Sequence, residues 1–360
     1  MLCFLGYDTF KNKAFYIIIV IVNFFSLNKK DYYMNRLFCV IPCYNEQEVL
    51  PETSKRLEAK FKELVLSGKI SDDSRILFVN DGSKDNTWNI IKKLHEENEI
   101  FQGINLSKNM GHQNALLAGL LTAKDLCDAA ISLDADLQDD INAIDEMVDK
   151  FNSGVDIVYG VRSKRATDTF FKKFTAESFY KLVNSMGGNT VYNHADYRLM
   201  SRRALMALSE FGEVNLFLRG IVPMIGFNTD VVYYERAERF AGESKYPLKK
   251  MLSFAIEGIT SLSTKPIKLI TGLGFFIFFV SIVVLVYSLA RYFTGHTIPG
   301  WTTTVLSVWA IGGLIMISLG VIGEYVGKIY LESKNRPRFI IESYVGDEED
   351  MEIYDRDTIC

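Results

Sequence analysis

The chain has no basic surplus. Its 360 residues carry 40 Lys and Arg against 44 Asp and Glu, a net charge of -4, which excludes a general nucleic-acid binder, since these depend on a cationic face. Five cysteines, Cys3, Cys39, Cys43, Cys127 and Cys360, form no metal-type pair of pairs and read as free thiols of a reducing compartment. A secretory leader is not expected: the N-terminal apolar run, residues 14–27, has no small-residue cleavage site after it. At 14 residues this run spans roughly 21 Å as a helix, short of a bilayer core of about 30 Å. Two readings stay open for residues 1–33, a start-site artefact with the functional chain beginning at Met34, or an extra membrane-associated segment.

What is present is organised around Ile131-Ser132-Leu133-Asp134-Ala135-Asp136-Leu137-Gln138-Asp139-Asp140, where an apolar run stops at carboxylates one residue apart. That pattern reads as a buried strand whose carboxyl end delivers Asp134 and Asp136 to the place where open α/β sheets collect ligands. Two hard oxygen ligands suit Mg²⁺ or Mn²⁺ shared with a diphosphate, although a solvated turn or helix cap has the same sequence signature. From Met34 onward, strands are expected at 36–41, 75–79, 102–106, 129–133 and 156–159, and helices at 46–66, 87–98, 113–127 and 141–151. The alternation predicts a mainly parallel twisted sheet covered by helices on both faces.

The loops after the first two strands are polar clusters, Pro42-Cys43-Tyr44-Asn45-Glu46 and Asn80-Asp81-Gly82-Ser83-Lys84-Asp85-Asn86-Thr87. Either alone is ordinary turn and capping chemistry, with Asp85 or Asn86 as the cap. With Asp134-Ala135-Asp136 downstream, however, they resemble the nucleotide-sugar half of family 2 glycosyltransferases, which have the GT-A fold. The resemblance runs on through Leu106-Ser107-Lys108-Asn109-Met110-Gly111-His112-Gln113, Gly160-Val161-Arg162, Asp196-Tyr197-Arg198-Leu199-Met200 and Arg239-Phe240-Ala241-Gly242-Glu243-Ser244-Lys245-Tyr246 to Gly323-Glu324-Tyr325. These runs are similar to the polyprenol-phosphate branch, the bactoprenol glucosyltransferases and dolichol-phosphate mannose synthases. The chain departs at Asp140-Ile141, where that branch commonly has prolines.

The resemblance implies an inverting transfer of a hexose, UDP-glucose favoured over UDP-N-acetylhexosamine and GDP-mannose, to polyprenyl phosphate. In it Pro42, Tyr44, Glu46, Asp81, Asp134 and Ala135 line the nucleotide pocket, with Asp81 near the uracil or ribose. Asp134 and Asp136 hold the divalent ion, with Gln138 as a further ligand. Asp136, Asp139, Arg162, Arg198, Arg239 and Lys245 serve the reaction, the cations on the phosphates and Asp139 either as a base or as an orienter of arginine. His112 is expected to cap or pack a helix. A homo-oligomer is implied as well.

Residues 267–290 and 301–326, 24 and 26 residues with almost no charge, are each long enough to cross a bilayer. Lys265 precedes the pair, Lys268 stands at the start of its first member and Lys328, Lys334, Arg336 and Arg338 follow it, while the connecting loop is nearly uncharged. The positive-inside rule puts the catalytic domain and the tail in the cytoplasm, at a bacterial inner membrane. Residues 169–183 and 248–262 are amphipathic with lysines on the polar face, as interfacial helices require. The expected organisation is a catalytic domain over 34–246, an interfacial helix over 247–265, a membrane hairpin over 266–327 and a tail over 328–360. A processive polysaccharide synthase shares the nucleotide loops but carries a Gln-x-x-Arg-Trp motif and more membrane helices, and neither is present. A membrane-anchored scaffold with a vestigial site is countered by Asp81, Asp134, Asp136 and the cationic loop.

Overall fold

The computed structural model describes residues 34–163, 194–213, 216–235, 265–294, 300–347 and 350. The N-terminal segment, the amphipathic stretches 169–183 and 248–262, and Arg239 and Lys245 of the cationic loop lie outside the described residues.

The strand-helix alternation of the sequence is present from the first strand. β1 (Leu37–Cys43), α1 (Leu50–Leu66), β2 (Arg75–Asn80), α2 (Thr87–Glu97), β3 (Phe101–Leu106), α3 (His112–Ala123), β4 (Ala129–Ser132), α4 (Ala143–Asn152) and β5 (Ile157–Arg162) follow in order. Every residue of β1 is buried, as a strand covered on both faces must be. Its alternate side chains feed two cores. Leu37, Cys39 and Ile41 pack with Leu57 and Phe61 of α1 and Met147 of α4, whereas Phe38 and Val40 pack with Leu116, Leu117 and Leu120 of α3. Gly119 lets α3 lie close on the sheet, since a Cβ there would fall 2.3 Å from Val40 Cγ1 and 2.7 Å from Val79 Cγ2.

Helix α1 begins four residues later than the expected position 46. Asn45 has a left-handed φ of 56°, which breaks the helical path, and Pro51 in the first turn favours the later start. The expectation of a mainly parallel sheet needs correction. β6 (His194–Ser201), β7 (Thr229–Tyr234) and β8 (Ile341–Val345), with the short helices α5 (Arg202–Ser209) and α6 (Leu218–Met224), complete a mixed sheet of order β7-β5-β6-β4-β1-β2-β3-β8. β6 runs antiparallel to β4 and β5, and β8 antiparallel to β3; the remaining pairs are parallel. The antiparallel strands arise where the regular alternation breaks and the chain no longer crosses over through a helix.

This topology gathers chemistry on one edge. The carboxyl ends of β1, β2, β3, β4, β5 and β7 and the amino end of β6 all lie there, as parallel and antiparallel pairing dictates. Two long helices follow, α7 (Lys265–Phe293) and α8 (Trp301–Ser333), of 29 and 33 residues, about 44 and 50 Å at 1.5 Å per residue. They touch one another, and large apolar side chains such as Phe275, Phe279, Met316 and Ile317 are exposed on them. Within α8, Ile311–Ser333 is long and apolar enough to cross a membrane.

Candidate active site

The first two loops hold each other. Asn45 N donates to Ser83 Oγ at 2.9 Å and Asn45 Oδ1 accepts from Lys84 N at 2.9 Å. Glu46 N donates to Thr87 Oγ1 at 2.9 Å, while Gln47 N donates to Asp85 Oδ2 at 3.2 Å. Asp85 rather than Asn86 caps α2, since its Oδ1 accepts from Thr87 N at 3.0 Å. Pro42 is buried at the end of β1 and Tyr44 is exposed at its mouth. The β1 and β2 loops are thereby tied into one unit.

Asp81 is buried at the end of β2, where its Oδ1 accepts from Met110 N at 2.6 Å and its Oδ2 from Gly111 N at 3.0 Å. Burial pushes this carboxyl above its ordinary value even though both backbone donors oppose the shift. In the structure the aspartate therefore secures the 107–111 loop, with each oxygen already engaged once. Gly82 makes that arrangement possible: its φ is 62°, and a Cβ would stand 2.5 Å from Asn109 N and 2.6 Å from the Lys108 carbonyl carbon. Gly82→Ala is accordingly expected to combine left-handed strain of about 1 kcal/mol with displacement of the loop, lowering the melting temperature by at least a few degrees. Thermal melts check it, and an unchanged melting temperature would contradict it.

Asp134, Ala135 and Asp136 follow β4 in a tight turn. Leu137 adopts a left-handed φ of 57°, a conformation rare for a branched residue and tolerated where the surroundings impose it. It folds the chain back so that Gln138 N donates to Asp136 Oδ1 at 3.2 Å. Thr53 Oγ1 anchors the turn through Ala135 O at 2.8 Å. The departure from proline at Asp140-Ile141 is made good by other contacts: Asp140 Oδ1 accepts from Asn142 N at 2.9 Å, and Tyr197 Oη donates to Asp140 O at 3.0 Å. Burial pushes the Asp134 carboxyl up to about 6; His112 opposes the shift, and the nearby Asp196, Asp139 and Asp136 add to it.

His112, the first residue of α3, places Nε2 3.5 Å from Asp134 Oδ1 and 3.8 Å from Asp196 Oδ2. Gly111, not His112, occupies the cap position of this helix, and the His112 ring faces the carboxylates. Asp196 is a hub that the sequence alone does not announce. Its Oδ1 accepts from Arg198 Nη2 at 2.9 Å and Arg219 Nε at 3.2 Å, and its Oδ2 from Arg219 Nη2 at 3.0 Å. Burial raises this carboxyl, but Arg219 and Arg198 outweigh burial and hold it well below the usual range. Arg198 itself is fully buried, with another bond to Leu218 O at 3.4 Å and no hydrogen-bond partner for Nε among the described residues. Its guanidinium thus lies beneath the site surface, whereas Arg219 is partly exposed beside it.

On the far side, Arg162 at the end of β5 donates from Nη2 to Asp139 Oδ1 at 3.1 Å and from Nε to Tyr234 Oη at 3.2 Å. Tyr234 Oη donates to the same Asp139 oxygen at 2.5 Å. Asp139 is buried, with that oxygen accepting twice. Desolvation, with Asp139 beside it, raises the Tyr234 phenol and keeps it protonated. Asp196, Arg219 and Tyr234 are the residues that sequence reasoning missed. A polar residue inside the 194–201 run was the available signal for Asp196; Arg219 and Tyr234 carry none.

Among the described residues, no three His, Cys, Asp or Glu side chains are arranged to hold an ion unaided. The donor set nevertheless fits a shared one. Crowded carboxylates around Asp134 favour a cation, and Mg²⁺ in particular is usually held by one or two carboxylates together with substrate phosphates. Placed along the edge from β2 to β7, the site offers two interlocked loops, an anionic turn and then an arginine held at two points.

Residues 38–209 match the family model described as glycosyl transferase family 2. The chain is 52% identical to the uncharacterized glycosyltransferase YkoT of Bacillus subtilis over 306 residues, 85% of this chain and 91% of that one. It is 39% identical to the bactoprenol glucosyl transferase of Shigella phage SfV over 310 residues, 86% of this chain and 98% of that one. A prophage bactoprenol glucosyl transferase homolog of Escherichia coli K12 matches at 38% over 309 residues, 85% and 98% of the two chains. The carboxylate turn after β4, the paired loops of β1 and β2, and these near-complete matches agree: the chain is an enzyme of glycosyl transferase family 2.

Proposed function

We propose that the protein transfers a hexose, glucose from UDP-glucose first among the donors, to a polyprenyl phosphate such as undecaprenyl phosphate at the cytoplasmic leaflet of a bacterial inner membrane. The observation that carries this reading is the order of groups along one sheet edge. Nucleotide-type loops lie at β1 and β2, carboxylates at β4 and an arginine at β5, the sequence in which nucleoside, diphosphate and acceptor phosphate would meet them. The near-complete matches to proteins named bactoprenol glucosyl transferase support the acceptor.

Asp134 and Asp136, with Gln138 beside them, would hold Mg²⁺ or Mn²⁺. When bound, the ion offsets the charge that builds on the departing diphosphate. The chain's own residues do the rest. Pro42, Tyr44 and Glu46 border the nucleoside, and Asp81 keeps the 107–111 loop closed behind it. A phosphate oxygen of the lipid attacks the anomeric carbon in line as the bond to the UDP oxygen breaks, inverting that carbon. A phosphate monoester with a second pKa of about 6 is mostly dianionic at neutral pH, so no strong base is required. Arg162, with Arg239 and Lys245 of the cationic loop, orients the acceptor phosphate. Arg198 acts indirectly, holding Asp196 and hence His112 against Asp134.

The membrane reading rests on α7 and α8 as a hairpin. β8, which follows α8, pairs with β3 of the catalytic domain, which supports the tail and that domain lying on the same side of the membrane. The test is transfer of radiolabelled sugar to undecaprenyl phosphate in detergent, screening UDP-glucose, UDP-N-acetylglucosamine, UDP-galactose and GDP-mannose with Mg²⁺ or Mn²⁺. Labelled lipid from UDP-glucose, lost on chelation, is expected. No labelled lipid from any donor, from folded protein that binds UDP, would overturn the acceptor.

A further inference from the structure

We propose that Tyr234 is a positioning residue for the acceptor: its phenol, together with Asp139, fixes the Arg162 guanidinium in the orientation that receives the acceptor phosphate. The inference rests on the acceptor reading above and names a residue that the reading does not use.

Three contacts close a triangle. Tyr234 Oη donates to Asp139 Oδ1 at 2.5 Å, Arg162 Nη2 donates to the same oxygen at 3.1 Å, and Arg162 Nε donates to Tyr234 Oη at 3.2 Å. The phenol is donor and acceptor at once. It links an anion to a cation, and a guanidinium held at two of its nitrogens has its plane set before a ligand arrives. Backbone geometry builds the triangle from below. Arg162 and Tyr234 are register partners in the parallel β5–β7 pair, so both side chains leave the same face of the sheet. Ser163 N and Oγ then donate to Tyr234 O at 2.9 and 3.0 Å, which locks the two strand ends together.

The phenol ring is itself held. Tyr197 packs edge-on against it, with centroids 5.3 Å apart and planes at 78°, and Tyr197 Oη is fixed to Asp140 O at 3.0 Å. Asp140 adjoins Asp139, so one rigid unit joins the turn that follows the carboxylates to the end of β7. Tyr234 is buried, and so is Asp139. A buried phenol with this much support does more than fill space, because its oxygen bonds both the Asp139 carboxylate and the Arg162 guanidinium. The position along the edge gives the substrate side. β5 and β7 lie beyond β4, away from β1 and β2, and so on the side opposite the nucleotide loops. Prealignment of a phosphate-binding arginine is the kind of supporting contact whose loss reduces function by about ten- to a hundredfold while the fold stands.

The test compares the full chain with Tyr234→Phe, Asp139→Asn, Arg162→Ala and the Tyr234→Phe/Arg162→Ala double variant in detergent, using undecaprenyl phosphate and the active donor. Phenylalanine keeps the ring packed on Tyr197 and removes only the oxygen. The expected result is a rise of about tenfold or more in the acceptor KM for Tyr234→Phe, with UDP affinity within about twofold of wild type. In the Arg162→Ala background the same substitution is expected to add less than about twofold, because its effect passes through the arginine. Asp139→Asn is expected to raise the acceptor KM with the shape of the pH–rate profile unchanged. Wild-type acceptor KM in Tyr234→Phe, or full multiplication of the two effects in the double variant, would overturn the assignment, the latter showing a merely structural role. Should Tyr234→Phe fail to fold, Asp139→Asn carries the same test, and an unchanged acceptor KM there overturns it equally. A wild-type enzyme that labels no polyprenyl phosphate is a different result: it removes the acceptor reading and this assignment with it.

Discussion

Asp134→Asn is expected to lower kcat by about a thousandfold and, in metal-free buffer at pH 7.5, to melt at a higher temperature than the wild type. Both outcomes follow from one property of the site. Burial and the carboxylates of Asp196, Asp139 and Asp136 push Asp134 up to about 6, against the opposing pull of His112. Its folded pKa thus exceeds the ordinary aspartate value of about 3.9. Below about pH 4 the group is protonated in both the folded and unfolded chain and contributes nothing. As pH rises toward 6 the unfolded chain releases its proton first, stability falls, and above 6 the whole penalty is present. Asparagine does not titrate, so the stabilisation of the variant should appear between pH 4 and 6 and persist above. A divalent cation reverses the comparison, since it stabilises only the folded wild type. Thermal melts at pH 3.8, 5 and 7.5, with chelator or Mn²⁺, check the pattern. A variant less stable at pH 7.5 in chelator, or one that retains transfer, would contradict it.

The same substitution shows what could be read from residues alone. The carboxylates of the β4 turn were legible because a buried parallel strand is written as an apolar run, and its end is then marked by the first polar residues. For that reason β1 to β5 were placed within a few residues. β6 was not, because Asp196 and Arg198 break the apolar pattern while pairing with each other in a charged hub, and a strand that buries ion pairs does not look like one. β8 escaped notice for a different reason: a five-residue edge strand with one antiparallel neighbour imposes little pattern. Assigning Arg198 to a phosphate followed from charge and motif. Its full burial against Asp196 depends on α6, which brings Arg219 and Leu218 to the same point, and spacing cannot reveal that. Tyr234 and Asp139 lie 95 residues apart, and only the sheet order joins them.

Asp350→Ala is the second large effect expected, about 3 kcal/mol of destabilisation, far from the site. Asp350 is buried and accepts from Arg36 Nη1 at 3.0 Å, Arg36 Nη2 at 2.9 Å and Gln102 Nε2 at 2.7 Å. Arg36 directly precedes β1 and Gln102 belongs to β3, so this one carboxylate ties the tail to two places in the sheet. Tyr344 Oη donates to Gln102 Oε1 at 2.7 Å, and Arg75 Nε to Asp347 Oδ2 at 2.8 Å, on the same side. Removing the carboxylate leaves a two-pronged guanidinium and an amide without their shared acceptor, and loss of one partner from a buried pair typically costs 3–5 kcal/mol. The lower end applies because Arg36 is partly exposed and keeps bonds to Asp73 O and Leu126 O. β8 is the strut between the end of α8 and the sheet, and with it loosened the β3 edge opens to unpaired backbone. A lower melting temperature in detergent and faster proteolysis within residues 336–347 are therefore expected, with UDP affinity retained and transfer to lipid reduced. Equal melting of variant and wild type would show that the tail strand is held by its backbone ladder alone, and that the side chains of Arg36 and Gln102 find other partners once Asp350 is gone.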